Sequence, residues 1–279
     1  MMKNDFNAVS AETLVVQAGD ERAIALMRRA YNDIFVAAFP MPEERESLEK
    51  IEEKLRQPTH GVKRVILLAG KHLDDPDPAK AQLYGISIAY YYSADQAGLL
   101  AYNAIAPEYQ QMGLGRLMVK GRIEGLEALA AEEGTTLKCA VIEVNDPTKV
   151  KPEDDSMDPA KRVAVFERWG AKRIPVPYVQ PALAVGEEKG RSSILMAYPV
   201  QGEYPKAEAI AGFIRGIWQA NNNGPVDYRQ DPDYLNAMDA LEKWPGFPAA
   251  DAAPAAPPAN DAAAPNVLAN KKKSCPKAP

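Results

Sequence analysis

The sequence predicts an α/β (α+β) fold, with helices on both faces of a mixed, partly parallel central sheet. Three observations predict it. Hydrophobic spacing switches along the chain from a helical period to a strand period and back. Three strand patterns follow one another in hairpin-like succession. A single long helix pattern then separates two strands, which makes that pair parallel neighbours joined by a crossover. Hydrophobic residues at 46% and charged residues at 25% are ordinary for a globular protein. A length of 279 residues suffices for a sizeable core.

The elements follow in order. Residues 1–10 read as a disordered start. Residues 14–17 are a short strand. Over 23–39, Ala25, Leu26, Ala30, Ile34, Phe35 and Ala38 recur at helical spacing, and Pro40 and Pro42 end the pattern. Residues 44–57 form a second, charged helix with Leu48, Ile51 and Leu55 on one face. Strands follow at 64–69 and 83–92, joined by a polar, proline-containing loop at 73–80, and a third lies at 98–105. A long helix covers 115–132, a strand 136–144, and a helix 160–169, which Gly170 stops. The last two strands are placed at 174–179 and 193–197. The main domain thus spans 11–200. An appended helical segment at 201–246 carries helices at 207–220 and 234–244. From 247 to 279 the chain is rich in Ala and Pro with few large apolar residues, the composition of a disordered tail.

Bulk properties exclude several classes. A net charge of −5 and a pI near 5.3 argue against nucleic-acid binding. The first dozen residues lack the apolar stretch of a signal peptide, and no segment approaches a membrane span. Of two cysteines, Cys139 lies in an apolar run and Cys275 in the tail, so no disulfide framework is expected. These readings together predict a cytoplasmic protein.

The chemistry concentrates between Ala104 and Arg116. An apolar strand ends at Pro107, a polar turn carries Gly113 and Gly115, and an amphipathic helix starts at once. Such a unit aims unpaired backbone N–H groups and the positive end of the helix dipole at one spot, a ready anion site. A Gly-x-Gly before a helix is also an ordinary tight turn. The dinucleotide fingerprint would need a third glycine where Met118 stands, and a phosphate-binding loop would need Gly-Lys-Ser/Thr, which is absent.

The full segment Gln110-Gln111-Met112-Gly113-Leu114-Gly115, preceded by Pro107-Glu108-Tyr109, resembles the coenzyme-A-binding motif of the GNAT superfamily of N-acetyltransferases. The order of elements over roughly residues 12–200 is similar to the GNAT order as well. The resemblance implies a GNAT acyl-CoA N-acyltransferase fold with acetyl-CoA as co-substrate and an amine as acceptor, on a small molecule or, as the lesser option, a protein. It implies that backbone amides from Gln111 to Arg116 cradle the pyrophosphate. The strand edge at Asn103 and Ile105 would pair with the pantetheine amides, and the Ile105 N–H would polarise the thioester carbonyl. The strands at 98–105 and 136–144 would splay, aided by a bulge. Asn145 matches a position that often contacts the cofactor.

The chain departs from the family pattern at its acid and base. No acidic residue lies between Gly98 and Pro107, and Phe166 falls where many members carry a thiolate-protonating Tyr. Glu143 is the best remaining general base, two residues before Asn145 on the same strand face. A salt-bridged strand carboxylate is the plainer reading. Tyr102 and Tyr178 are candidate proton donors, each equally accommodated as a packed tyrosine with a satisfied hydroxyl. Water can also relay the proton, with positioning supplying much of the rate. The competing reading is a degenerate GNAT domain that binds coenzyme A as a sensor or docking module.

Other features carry less. Cys139 as an acyl-carrying nucleophile would need a base, and neither His60 nor His72 is near it in sequence. The acidic stretches at 72–77 and 153–158 lack a calcium-loop spacing, so no metal site is expected. One ring of Tyr90, Tyr91 and Tyr92 is a candidate lining of the acceptor cleft. The loops at 39–45 and 181–191 are expected to select the acceptor, where Glu43, Glu44 and Glu46 would attract a cation or simply favour a helix N-terminus. Expected partners are a small-molecule amine, with neither nucleic acid nor membrane. A homodimer and an unidentified partner for the lysine-bearing tail remain open.

Overall fold

The computed structural model describes residues 10–42, 45–59, 61–155, 157–183, 186–222 and 227–248. The start before residue 10, the tail beyond 248, Glu43, Glu44, His60 and Cys275 lie outside the described residues.

Among the described residues seven strands form one sheet: β1 (Glu12–Val15), β2 (Val62–Lys71), β3 (Gln82–Tyr92), β4 (Ala97–Ile105), β5 (Cys139–Asn145), β6 (Lys172–Arg173) and β7 (Ser193–Tyr198), in the order β1-β2-β3-β4-β5-β7-β6. All neighbours are antiparallel except β4 and β5, the pair that the crossover helix predicts. The helices are α1 (Glu21–Ala30), α2 (Val36–Ala38), α3 (Leu48–Arg56), α4 (Leu114–Glu132), α5 (Pro159–Arg168), α6 (Ala207–Ala220) and α7 (Pro232–Lys243).

Side-chain alternation divides the sheet into two faces. Val65, Leu67, Ala140, Ile142 and Met196 pack under α4 and α5 with Met118, Leu126 and Phe166. Ile66, Leu68, Ile86 and Ile88 pack on the other face against α1 and α3. Cys139, Val141, Leu195 and Ala197 meet Ile210, Phe213 and Ile217 of α6. Tyr90 and Tyr102 touch both of these last two clusters, so the α1/α3 layer and the α6/α7 layer share one face. Bonds from Arg215 to Asp95 and from Cys139 Sγ to Ala209 O tie α6 to the sheet.

Local chemistry fixes the helix ends. Asp20, Ser47, Asp158 and Asp231 cap α1, α3, α5 and α7 through side-chain oxygens, each worth about 1 kcal/mol. Pro159 and Pro232 open their helices at positions that need no N–H. Gly170 stops α5 with φ of 96°. The helix predicted over 23–39 is continuous but holds a π-helical turn at Tyr31–Phe35, which inserts one residue and re-aims the aromatic rings that follow.

Four expectations are corrected. The second helix starts at Leu48, not 44, because Ser47 caps it; Glu46 lies before the cap, where it bonds Arg64 at 2.7 Å, Lys54 and Tyr90. Glu46 is therefore not a helix-terminal acid. No strand forms over 174–179. Pro175 and Pro177 remove alternate N–H donors, and Val176 and Tyr178 donate to the carbonyls of Ile174 and Val176 instead. The pairing with β7 falls on Lys172 and Arg173. Finally, β5 begins at Cys139 rather than 136, and β1 spans 12–15 rather than 14–17.

Candidate functional site

The turn between β4 and α4 combines left-handed backbone with a helix start that no side chain caps. Pro107–Tyr109 make one 3-10 turn, the Tyr109 ring lies tilted against Tyr84 with centroids 4.0 Å apart, and Gln110 Nε2 donates to the Ile105 carbonyl at 3.2 Å. Gln111 and Gly113 both take left-handed backbone, φ 65° and 78°. Left-handed residues alternating with right-handed ones curl successive amides into a concave nest. Gly113 is the N-cap of α4, and no side chain caps it. The first-turn N–H groups of Leu114 and Gly115 therefore lack the side-chain cap that α1, α3, α5 and α7 have, and the helix dipole points to the same place. Met112 is exposed at the rim.

Next to this nest the sheet opens. β4 and β5 pair only at Ala97–Cys139, Gly98–Ala140 and Leu99–Val141, although β4 runs on to Ile105 and β5 to Asn145. The divergence coincides with a bulge in β4. Tyr102 faces Ile88 and Leu99 faces Tyr90, so Leu100 and Ala101 together oppose the single residue Ala89. The extra residue sends Leu100 to the α4 face and both Ala101 and Tyr102 toward the opposite one. Ala106 N donates to Tyr84 O. By ladder alternation, Asn103 and Ile105 then turn their main-chain groups away from β3, toward the gap β5 has left.

On the α6 face of the gap lies a carboxylate. Glu143 is buried on β5 and accepts from Tyr178 Oη at 2.5 Å and from Gln180 Nε2 at 3.1 Å. Burial, then the Glu143 charge, push the Tyr178 phenol well above its ordinary range, so this hydroxyl holds its proton and donates it in the bond. Burial and the same carboxylate also raise Tyr92, and burial, Glu46 and Glu143 raise Tyr102. Tyr102 is wedged edge-on between Phe35 and Phe39, ring centroids 5.2 and 5.3 Å away, the two rings that the π-helical turn delivers. Glu143, Tyr102 and Tyr178 thus share one neighbourhood.

The loop that brings Tyr178 and Gln180 is pinned from outside. Gln180 exchanges two main-chain bonds with Gly190, at 2.8 and 2.9 Å. The adjacent Lys189 and Arg191 bind Asp231 and Asp233 at the start of α7. Sequence reasoning missed Gln180. The Pro175–Pro177 pair, which excludes a strand there, was the available signal.

Asn145 sits at the end of β5, but its side-chain Nδ2 donates to Asp155 at 2.8 Å, and Asp155 also receives Arg162 at 2.6 Å. The side chain thus joins β5 to α5. Phe166 is buried against Trp169 in the α4/α5 core. Burial pushes the Cys139 thiol up to about 12, so it is inert packing. Among the described residues no group of three or more His, Cys, Asp or Glu could hold a metal ion, and no helix is long and apolar enough to cross a membrane. Arg122 of α4 was also missed. It breaks the apolar i, i+4 stripe of Met118 and Leu126, and that break was legible.

No family model matches the sequence, and no curated protein matches it. Solved structures do. A protein described as an acetyltransferase of the GNAT family from Bacteroides thetaiotaomicron is 17% identical, with a TM-score of 0.46 over 83% of this chain and 96% of that one. The ribosomal-protein-S18-alanine N-acetyltransferase from Escherichia coli is 15% identical, with a TM-score of 0.41 over 68% and 94%. The PaiA N-acetyltransferase from Thermoplasma acidophilum, in complex with coenzyme A, is 15% identical, with a TM-score of 0.38 over 68% and 98%.

Proposed function

We propose that this chain is a GNAT-type acyltransferase that binds coenzyme A and moves an acyl group, acetyl in the simplest case, to an amine of a small molecule. The observation that carries the reading is the early end of the β4–β5 contact at Leu99–Val141, beside an uncapped amide nest at the head of α4. A long, thin ligand with a diphosphate at one end fits both features at once. The nest at Gln111–Gly113 and the amides of Leu114, Gly115 and Arg116 suit the diphosphate. The unpaired edge at Asn103 and Ile105 suits the amide-bearing arm.

Each residue then has a task. The Ile105 N–H, facing the gap, would hydrogen-bond the thioester oxygen and bear the charge that develops there. Glu143 would take the proton that the attacking amine sheds, directly or through water. Tyr178 and Gln180 hold that carboxylate in one orientation. Tyr102, between Phe35 and Phe39, would wall the acceptor side and shield the gap from bulk water.

Isothermal titration with coenzyme A, then thiol release from acetyl-CoA across an amine panel, tests this. Binding with turnover supports the full reading. Absence of binding refutes it. Tight binding without turnover on any amine assigns the chain to coenzyme A sensing or docking, for which buried Phe166 at the usual Tyr position is the supporting observation.

A further inference from the structure

Beneath the gap, on the α4 side, lies a cluster of buried polar groups without partners. Arg122 is 1% exposed; its Nε donates to Met118 O at 3.3 Å and its Nη1 to Tyr102 O at 3.0 Å, while Nη2 meets no acceptor. Asn103, also 1% exposed, has both side-chain amide atoms unpartnered. So do Ser87 Oγ, opposite Asn103 in the β3–β4 ladder, and the hydroxyl of Tyr198 on β7.

Neighbouring glycines fix the level of Arg122. A Cβ on Gly85 would lie 3.0 Å from Met118 Sδ, and one on Gly98 would lie 2.5 Å from Leu126 Cδ1. Arg122 is four residues from each, so it stands midway along β4, beside the bulge and level with Asn103. It sits about 12 Å along the helix from Leu114, at roughly 1.5 Å per residue. That is deep enough to meet the far end of an arm anchored at the nest.

The guanidinium has no carboxylate partner among the described residues. Burial lowers its pKa to about 10, and Tyr198 is the one group whose charge opposes that shift. It therefore remains a cation at neutral pH, held in a low-dielectric layer with one donor unused. A buried cation of this kind is poorly compensated until an anion arrives. A neutral thioester does not supply one, but a departing thiolate does.

We propose that Arg122 stabilises the coenzyme A thiolate as it leaves; this rests on the coenzyme A reading above. In the transfer the amine nitrogen bonds to the thioester carbonyl carbon, and the C–S bond breaks with its electron pair going to sulfur. The amine proton goes to Glu143 or water. Arg122 gives up no proton: an Nη2 N–H donates a hydrogen bond to the sulfur anion, which later takes a proton from solvent. Interaction with a charge that exists only late in the reaction lowers the barrier without tightening the ground state. It also offers the sulfur anion a hydrogen-bond donor, which the Phe166 ring lacks.

The test reads the bound thiol directly. Wild-type protein saturated with coenzyme A is titrated while the ultraviolet absorbance of the thiolate is followed. The bound thiol should ionise at least one pH unit below free coenzyme A, about a tenfold shift in its equilibrium. In Arg122→Met the shift should vanish, and in Arg122→Lys most of it should remain. Acetyl transfer by Arg122→Met should fall about a hundredfold in kcat with little change in KM for acetyl-CoA. Wild-type protein that binds coenzyme A with an unshifted thiol overturns the proposal and leaves the coenzyme A reading intact. The same unshifted thiol with a preference for carboxylate-ended acyl thioesters also overturns it, and assigns the guanidinium to the acyl group. Failure of wild-type protein to bind coenzyme A removes the reading and the proposal together. The wild-type titration needs no variant, so it decides the matter even where a substitution folds poorly.

Discussion

Replacing Tyr178 with Phe removes one oxygen from a buried site and leaves the ring packing in place. That oxygen donates to Glu143 at 2.5 Å, and both residues are buried. Hydrogen bonds to charged groups contribute about 1.5–3 kcal/mol, so Tyr178→Phe should cost about 2 kcal/mol at neutral pH. For an ordered region of this size each kcal/mol shifts Tm by about 2–4 °C, which gives a fall of roughly 4–8 °C. Urea unfolding of wild type, Tyr178→Phe, Glu143→Gln and the double variant would measure the loss and the coupling. The expected coupling is about 1 kcal/mol or more. A single-variant loss below about 0.5 kcal/mol, the scatter of neutral substitutions, together with zero coupling, would refute the account of how Glu143 is held.

Three further outcomes follow from the geometry. Gly113→Val places a β-branched residue at φ 78°, which costs about 1–2 kcal/mol and should weaken coenzyme A binding at least tenfold by calorimetry; unchanged affinity removes the nest from the binding site. Stability should decline at alkaline pH. Burial holds the folded-state pKa of Cys139 at about 12, above its ordinary 9.0, and raises those of Tyr92, Tyr102 and Tyr178. Because folded pKa exceeds unfolded pKa, stability is complete below about pH 9 and falls as pH rises further; Arg122, lowered to about 10, works in the opposite sense as one group against several. Tm measured from pH 8 to 11 should fall less in Tyr178→Phe, and a flat profile contradicts the burial of these groups. Asp233→Ala removes partners of Lys189 and Arg191. These pairs are partly exposed, so the cost in stability should stay below about 1 kcal/mol. Hydrogen exchange at Gln180 and Gly190 should accelerate, and unchanged protection would show that α7 does not anchor that loop.

Most of the sheet was legible because its strands are apolar on both faces and bounded by turn residues. The parallel β4–β5 pair followed from one long helix between two strands. What escaped depends on partners rather than on local pattern. Ser47 starts α3 later than expected because Glu46 is drawn to Arg64, Lys54 and Tyr90, which lie on other elements or further along the chain. The π-helical turn at Tyr31–Phe35 leaves the apolar spacing nearly helical, so periodicity alone does not reveal it. The strand predicted over 174–179 failed for a reason present in the sequence: apolar alternation was weighed above two prolines that remove its donors.

The nest was legible in the sequence, whereas the pairing of Glu143 with Tyr178 and Gln180 was not, for one physical reason. The nest is local, set by Gln111, Gly113 and the start of α4 within a few residues. The surroundings of Glu143 are not: Tyr178 and Gln180 arrive from 35 and 37 residues away, and their loop is held by α7, further still. Glu143 and Arg122 nevertheless shared a visible anomaly, a charge inside an apolar stripe. Burying such a charge is costly enough that it needs compensation from elsewhere. Glu143 finds it in donors that include Tyr178 and Gln180. Arg122 finds two carbonyls and keeps one donor unused. The β4 bulge lies between them and sends Leu100 to one face and Tyr102 to the other. One extra residue in one strand thus lies where the β4–β5 pairing ends, with the buried Arg122 on one side of the gap and the buried Glu143 on the other.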